Sequence, residues 1–204
     1  MELEYLRSRG YRPKGGFLSP SNVFYLNIPK NASTYLSNIL FSNGWRHFVF
    51  NEYAPVTEAI VVLRDPVERW VSGFATYVSS WICSNGYGSD HFVADYNWLT
   101  ENLIFDNLVF DDHTTPQWQY ISQLPATCQV KYFVLNQKTI VDDISAYTGQ
   151  SLTVADVDAN VSEDNYDQKQ IIQFMKNRLE KKPELKNKII ERYKRDFDLI
   201  DSVK

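Results

Sequence analysis

Two stretches of the chain share one pattern, a short apolar run followed by apolar residues at helical spacing. The run Val23–Ile28 (VFYLNI) precedes a proline, which favours a buried strand that ends there. In Ser33–Asn43 the apolar residues recur every three or four positions, which predicts a helix. Ser33 or Thr34 would cap the start of this helix, and Gly44 would end it. The first stretch therefore predicts a strand, a tight loop and a helix.

The second stretch repeats this order. Ala59–Leu63 (AIVVL) is a continuous apolar run typical of a central parallel strand, and Arg64, Asp65 and Pro66 close it. Val67–Trp81 then places its apolar residues on one helical face. Parallel strands need a crossover connection, which is usually a helix. Two successive strand and helix units therefore predict an α/β fold, with a parallel sheet flanked by helices.

The rest of the chain adds elements at both sides of this core. Residues 1–21 are polar and rich in Gly and Pro, which predicts an irregular lead-in. The remaining predicted elements are a helix at Trp98–Leu108, a strand at Lys131–Leu135, a helix at Ile140–Tyr147 that ends at Gly149, and two terminal helices within Tyr166–Val203, separated at Pro183. With 204 residues against about 150 per domain, we expect one domain over residues 1–204.

Composition excludes several classes of protein. Lys and Arg number 21 against 25 Asp and Glu, a formal net charge of −4, so the chain lacks the positive field that dominates nucleic-acid binding. No apolar run reaches the roughly 18 residues of a membrane span, and the charged N-terminal segment lacks the apolar stretch of a signal peptide. We therefore expect a soluble, cytoplasmic protein with no nucleic-acid partner. Cys83 and Cys128 lack metal-ligand spacing, and no metal site is expected.

The loop after the first predicted strand has the chemistry of an anion site. Its six residues are Pro29, Lys30, Asn31, Ala32, Ser33 and Thr34. Small side chains let backbone N–H groups approach oxygen atoms, and the start of the following helix adds partial positive charge. Lys30 adds a full charge, and two hydroxyls can donate hydrogen bonds. A capped helix after a solvated lysine would give the same sequence, so the loop alone leaves both interpretations open.

A second candidate anion site follows the next strand. Arg64 stands at the strand end, and Ser72 lies eight residues further on, about two helical turns. A guanidinium and a hydroxyl so placed can hold one phosphate. The alternative is an arginine paired to Asp65 or Glu68.

A nucleotide kinase would need a loop of the form GxxxxGK[ST], whereas the first loop contains no glycine.

Together the two segments resemble the sulfotransferase superfamily. IPKNAST is similar to the PKxxST-type loop that grips the 5′-phosphosulfate of 3′-phosphoadenosine 5′-phosphosulfate (PAPS). LRDPVERWVSGF is similar to the RDPxxRxxSxY-type segment that holds the 3′-phosphate, with Phe74 where Tyr is common. Three later segments, DDHTTPQWQYI, KYFVLNQKTIVDDISAYTG and KIIERYKRDFDLI, look like the carbohydrate sulfotransferase branch. The resemblance extends from Val23 to Ile200 and implies a P-loop-like parallel sheet.

What the resemblance implies is transfer of a sulfuryl group from PAPS to a hydroxyl acceptor, either a carbohydrate or a small hydroxylated molecule. Lys30 would stabilise the bridging oxygen as the leaving phosphate develops charge, and the loop 29–34 would bind the 5′ side. Arg64 and Ser72 would bind the 3′-phosphate. Because a sulfonate carries less charge than a phosphoryl group, these residues are expected to suffice without a metal.

A hydroxyl acceptor also benefits from a general base, which in this family is His or Glu. His113 is the first candidate because it lies in the family-like segment beside Asp111 and Asp112, which can orient an imidazole. His47 is the second candidate and Glu52 the third. Two other functions stay open: a nucleotide kinase-like enzyme, and a module that binds a nucleotide without catalysis.

Overall fold

The computed structural model describes residues 15–49, 56–84, 108–154 and 166–203, and within these ranges the chain is an α/β protein. The strands are β1 (Gly16–Leu18), β2 (Phe24–Leu26), β3 (Arg46–Phe48), β4 (Glu58–Leu63) and β5 (Gln129–Val134). The helices are α1 (Ser33–Ser42), α2 (Pro66–Ser84), α3 (Gln117–Ile121), α4 (Ile140–Thr148), α5 (Tyr166–Lys181), α6 (Pro183–Arg192) and α7 (Lys194–Asp201).

The chain divides into two compact units. The sheet unit consists of residues 12–65, 116–160 and 195–204 and contains all five strands. The helical unit consists of residues 1–11, 66–115 and 161–194 and contains α2, α5 and α6. The second candidate anion segment is therefore divided, since Arg64 belongs with Lys30 to the sheet unit and Ser72 to the helical unit.

The sheet is mixed, with the strand order β3-β1-β2-β4-β5. β2, β4 and β5 are parallel to one another, as predicted, and they form one half of the sheet. β1 pairs antiparallel with both β2 and β3. The prediction of a wholly parallel sheet is therefore wrong for β1 and β3.

Both unpredicted strands have only three residues, so local sequence gives little signal for them. β1 lies in the predicted irregular lead-in, where Gly16 suggested a loop. A Cβ atom at Gly16 would lie 1.8 Å from the backbone oxygen of Tyr25, so glycine here permits close pairing of two strands. β3 reads Arg-His-Phe and is largely exposed, so it shows no apolar run.

Most of the other predicted elements are confirmed with small changes of boundary. Both strand and helix units are present as β2 with α1 and β4 with α2, and the later strand and helix are β5 and α4. Gly149 ends α4 in the left-handed conformation, with φ of 68°. The C-terminal segment forms three helices where two were predicted, because the chain breaks again at Tyr193. The predicted helix Trp98–Leu108 lies, apart from its last residue, outside the described residues.

The core of the sheet unit lies between one face of the sheet and helices α1 and α4. Tyr25, Ile60 and Val62 alternate along β2 and β4 and contribute to this face. The helices contribute Leu36, Ile39, Leu40, Ile140, Val141 and Ile144. Burial of a large apolar side chain stabilises a fold by roughly 1.5–3 kcal/mol, so this cluster fixes the strand ends that carry the candidate site.

The helical unit is built on α2, which packs against α5 and α6. On α2, the rings of Trp70 and Phe74 are stacked with centroids 5.3 Å apart, and Phe74 also contacts Phe110. Ile171 and Met175 of α5 are fully buried. The apolar stripe predicted for α2 is therefore a packing surface.

Candidate functional site

The loop between β2 and α1 has an unusual backbone. Lys30 (φ 69°) and Ala32 (φ 57°) both adopt positive φ, and among the described residues Asn22 is the only other non-glycine residue to do so. Left-handed conformations of this kind cost free energy and persist only where surrounding contacts hold them. Alternation of left-handed residues with ordinary ones turns successive N–H groups toward one side, a geometry that binds anions.

Helix α1 begins at this loop without a side-chain cap. Its N-cap residue is Ala32, and no side chain among the described residues bonds to the cap position. The prediction that Ser33 or Thr34 caps the helix is therefore wrong, because both residues lie inside its first turn. Thr34 is exposed and Ser33 is half-buried. The first N–H groups and the hydroxyls of the helix are thus left for another acceptor, such as an anion.

Asn31 points into the protein, since its side chain is fully buried. Its Nδ2 donates to the backbone oxygen of Val62 at 2.6 Å and to Oε1 of Gln117 at 2.6 Å. Its backbone N–H donates to the backbone oxygen of Ile28 at 3.3 Å. These bonds hold the loop against the end of β4, and the predicted role of Asn31 in cofactor binding stays a prediction.

Arg64 lies at the end of β4, beside the same loop. Its Nη1 donates to the backbone oxygen of Lys30 at 2.9 Å, so the structure brings these two predicted residues together. The reason is topological, because β2 and β4 are parallel neighbours and their carboxyl ends share one edge of the sheet. Two cationic side chains therefore stand at the edge where open α/β sheets bind ligands.

Gln117, the first residue of α3, closes this cluster and was not among the predicted site residues. Its Oε1 accepts from the backbone N–H of Arg64 at 3.0 Å, and its Nε2 donates to the backbone oxygen of Arg64 at 2.9 Å. It is fully buried. Its partners lie 53 and 86 positions away, so no local pattern could have indicated this role.

Asp196 of α7 in turn holds Gln117 in place, and the sequence analysis did not predict this role either. Its Oδ2 accepts from the backbone N–H of Gln117 at 2.8 Å, and its Oδ1 accepts from that of Trp118 at 2.8 Å. The carboxylate thus caps α3 from a helix almost 80 residues later in the chain. The adjacent Arg195 stacks over the Trp118 ring at 4.6 Å, which adds a cation–π contact.

Ser72, the predicted partner of Arg64 at the 3′-phosphate, lies on α2 in the helical unit. It is only 5% exposed, and its backbone oxygen accepts from Oγ1 of Thr76 at 3.2 Å. Its role as a phosphate ligand stays a prediction.

His113 lies in a tight turn of the helical unit, between two carboxylates. Its Nδ1 is 2.8 Å from Oδ2 of Asp111 and 3.0 Å from Oδ1 of Asp112. Carboxylate oxygens only accept hydrogen bonds, so Nδ1 carries the proton and Nε2 is left to exchange one. This arrangement orients an imidazole for acid–base chemistry.

The protonation of His113 is set by opposing effects. Burial lowers the pKa of its imidazole, but the hydrogen bonds and charges of Asp111 and Asp112 outweigh burial and raise the pKa above its ordinary value. The same three residues place one ligand atom each within 4.8 Å of one another, the only such group among the described residues. Oxygen and imidazole ligands so arranged are also compatible with a divalent cation.

The turn around His113 is held firmly by its neighbours. Oδ1 of Asp111 accepts from the backbone N–H of His113 at 2.9 Å. Nη1 of Arg69 donates to the backbone oxygen of Thr115 at 2.6 Å, and the Tyr193 hydroxyl donates to that of Thr114. A Cβ atom at Gly73 would lie 2.3 Å from the backbone oxygen of His113, so α2 approaches the turn at van der Waals distance.

His47, the second candidate base, lies on the edge strand β3 opposite Phe17 of β1. It is exposed, and its ring meets that of Phe17 edge to face at 5.6 Å. Among the described residues its ring has no carboxylate partner comparable to those of His113. The third candidate, Glu52, lies outside the described residues.

Comparison of the chain with protein-family models, with curated proteins and with solved structures finds no match. None of the helices in the described ranges has both the length and the apolar character needed to cross a membrane.

Proposed function

We propose that this protein is a sulfotransferase that moves a sulfuryl group from PAPS to a hydroxyl acceptor, with a carbohydrate as the expected acceptor. One observation carries the proposal. The uncapped start of α1 follows directly on Lys30, and the loop is tied to Arg64 at the end of the adjacent parallel strand. This arrangement also supports the comparison of the β2–β4–β5 half of the sheet with a P-loop-like fold.

The loop 29–34 is the proposed site of the 5′-phosphosulfate. The N–H groups of Ala32, Ser33 and Thr34 supply partial positive charge at the start of α1, and the two hydroxyls supply further donors. Lys30 places a full charge at the strand end. When PAPS is bound, the bond from sulfur to the 5′-phosphate oxygen breaks as a bond to the acceptor oxygen forms. Lys30 stabilises the charge that develops on the leaving oxygen.

The 3′-phosphate is assigned to Arg64 and Ser72. Nη1 of Arg64 donates to the backbone oxygen of Lys30, which places this guanidinium beside the loop 29–34. A 3′-phosphate distinguishes PAPS from ATP, so its recognition would give the protein its donor specificity.

His113 is the proposed general base, and His47 is the alternative. The proton leaves the acceptor hydroxyl and goes to Nε2 of His113, while Asp111 holds Nδ1–H. Only the neutral imidazole can accept this proton. Asp111 and Asp112 raise the pKa of His113. His113 is therefore neutral, and able to act as the base, only at a higher pH than an isolated histidine would need.

Two competing functions differ from this one in their ligand. A nucleotide kinase-like enzyme would bind ATP with Mg²⁺, and a non-catalytic module would bind the nucleotide without turnover. Isothermal titration calorimetry with adenosine 3′,5′-bisphosphate, compared with ATP and Mg²⁺, separates them before any acceptor is known. We expect the bisphosphate to bind without metal and in preference to ATP. Binding of ATP alone, or of neither nucleotide, would contradict the proposal.

Transfer of label from PAPS to a panel of sugars and small alcohols then distinguishes the enzyme from the module. We expect a sulfated product that is absent with Lys30→Ala. Tight bisphosphate binding with no product on any acceptor would favour the non-catalytic module.

A further inference from the structure

A continuous chain of hydrogen bonds joins the C-terminal helix α7 to the loop that follows β2. Asp196 accepts the backbone N–H groups of Gln117 and Trp118. Gln117 bonds to both backbone groups of Arg64 and accepts from the side chain of Asn31. Asp196, Gln117 and Asn31 are 0% exposed, so solvent does not compete for these bonds. We call these three residues the buried relay.

The side-chain amides of Gln117 and Asn31 each have only one orientation that satisfies their neighbours. The N–H of Arg64 needs an acceptor and its C=O needs a donor, which fixes both ends of the Gln117 amide. With Oε1 of Gln117 so placed, and the backbone oxygen of Val62 beside it, Asn31 must present its NH₂ group to both. The position of the loop is therefore tied to the position of α3.

Asp196 fixes α3 itself. Helix α3 has five residues, too few to be stable alone, and its first two N–H groups are both received by this carboxylate. Loss of the carboxylate would leave buried donors without an acceptor and would free Gln117 to shift. A shift of Gln117 would release Asn31, on which the strained conformations at Lys30 and Ala32 depend.

We propose that Asp196 is a positioning residue for donor binding: through Gln117 and Asn31 it holds the loop 29–34 and Arg64 in the conformation that receives the nucleotide phosphates. This proposal rests on the proposed function for the identity of the ligand, but not for the existence of the relay. It gives the C-terminal helix a part in the site, although no residue of α7 needs to touch the ligand.

The test uses the full chain with Asp196→Asn and a matched control. Asp198→Asn makes the same change of charge on the same helix at an exposed position. Backbone amide hydrogen exchange is followed by NMR in the loop 29–34 at Asn31, whose buried N–H donates to the backbone oxygen of Ile28, and, as an internal reference, in β1 and β3. Bisphosphate affinity is measured by calorimetry well below the melting temperature.

With Asp196→Asn we expect loop exchange to rise about tenfold or more, with β1 and β3 nearly unchanged, and bisphosphate affinity to fall about tenfold. With Asp198→Asn we expect neither change. A merely structural role of Asp196 would lower the melting temperature and speed exchange throughout the sheet unit, without this local pattern.

Gln117→Met provides a second route if Asp196→Asn does not fold, since it keeps the side-chain length and removes the amide oxygen and the NH₂ group. It should give the same local rise in exchange. In the double variant the two effects should not add, because both changes break one path.

Unchanged loop exchange in a folded Gln117→Met variant, or additive effects of the two substitutions, would overturn the relay. Absence of bisphosphate binding by the unmodified protein would refute the proposed function instead, and the exchange data would still decide whether the relay exists.

Discussion

The loop 29–34 and the turn 111–115 are each held by several hydrogen bonds, but the groups that hold them differ. The loop is held by neutral amides, those of Asn31 and Gln117, and its charge comes from Lys30 and Arg64. The turn is held by a carboxylate that also engages an imidazole. A change in the protonation of His113 can therefore alter the turn without changing the side-chain amides that contact the loop. This difference suits an anion site in the first case and a proton acceptor in the second.

The largest effect is expected from substitution of Lys30. Lys30→Ala removes the charge assigned to the leaving oxygen, and loss of one such electrostatic contact slows turnover about 10²–10³-fold. We expect a folded protein with a nearly unchanged melting temperature, because the hydrogen bonds that the Asn31 side chain donates remain.

Steady-state transfer from PAPS measures this effect, and Lys138→Ala, at an exposed position of the sheet unit, is the control. Turnover by Lys30→Ala at the rate of the control would remove Lys30 from its role.

The rigidity of the turn is tested at Gly73. Gly73→Ala would place a methyl group 2.3 Å from the backbone oxygen of His113, so helix and turn must move apart. We expect the free energy of unfolding to fall by about 2–3 kcal/mol, the cost of overpacking a rigid site.

Urea unfolding measures the loss. Thr76→Ala on the same helix should cost less, about 1 kcal/mol, because it removes one hydrogen bond to Ser72 without a clash. Equal stability of Gly73→Ala and the unmodified protein would show that the turn can move to accommodate the methyl group at little cost in free energy.

Substitution of Arg64 tests which of the two phosphates this side chain binds. Arg64→Ala should weaken adenosine 3′,5′-bisphosphate about tenfold while changing adenosine 5′-monophosphate much less, since only the bisphosphate carries the group assigned to it. Competition calorimetry gives both affinities. Arg46→Ala, on the exposed strand β3, should leave their ratio unchanged. An equal loss of both affinities for Arg64→Ala would place this arginine at the 5′ side.

The smallest effect concerns the protonation of the turn. The pKa of His113 is raised in the folded protein, so its ion pairs stabilise the fold fully below the unfolded value of about 6.5. That stabilisation is lost as pH rises through the higher folded pKa. Asp111→Asn should lower the pKa of His113 only part of the way back to its ordinary value, because Asp112 remains.

An NMR titration of the imidazole follows this change directly. The lower limb of the pH dependence of turnover should move to lower pH in the same variant. If the limb stays in place while the imidazole titration shifts, His113 is not the base, and His47 becomes the candidate to test.

The sequence predicted those parts of the fold that repeat a pattern over many residues. The periodicity of Ser33–Asn43 and the apolar run Ala59–Leu63 produced correct elements, and their order led to the parallel strands. β1 and β3 were missed because three residues form a strand only through pairing with neighbours.

In the candidate site, sequence reasoning found charged residues but missed what holds them. Lys30 and Arg64 stand at strand ends, where position alone suggests a ligand. Gln117 and Asp196 act across 53 and 79 positions of sequence, and nothing in their neighbours signals it. The N-cap was misjudged because Ala32 takes a left-handed conformation, which local propensity would not assign to alanine.

The most direct test of anion binding at the start of α1 is NMR titration of the full chain with adenosine 3′,5′-bisphosphate, followed through its backbone amide signals. We predict that the largest shifts fall on Lys30, Ala32, Ser33 and Thr34, with no metal added. Shifts confined to the turn 111–115, or no shifts at all at millimolar bisphosphate, would contradict the assignment of the loop as the phosphate site.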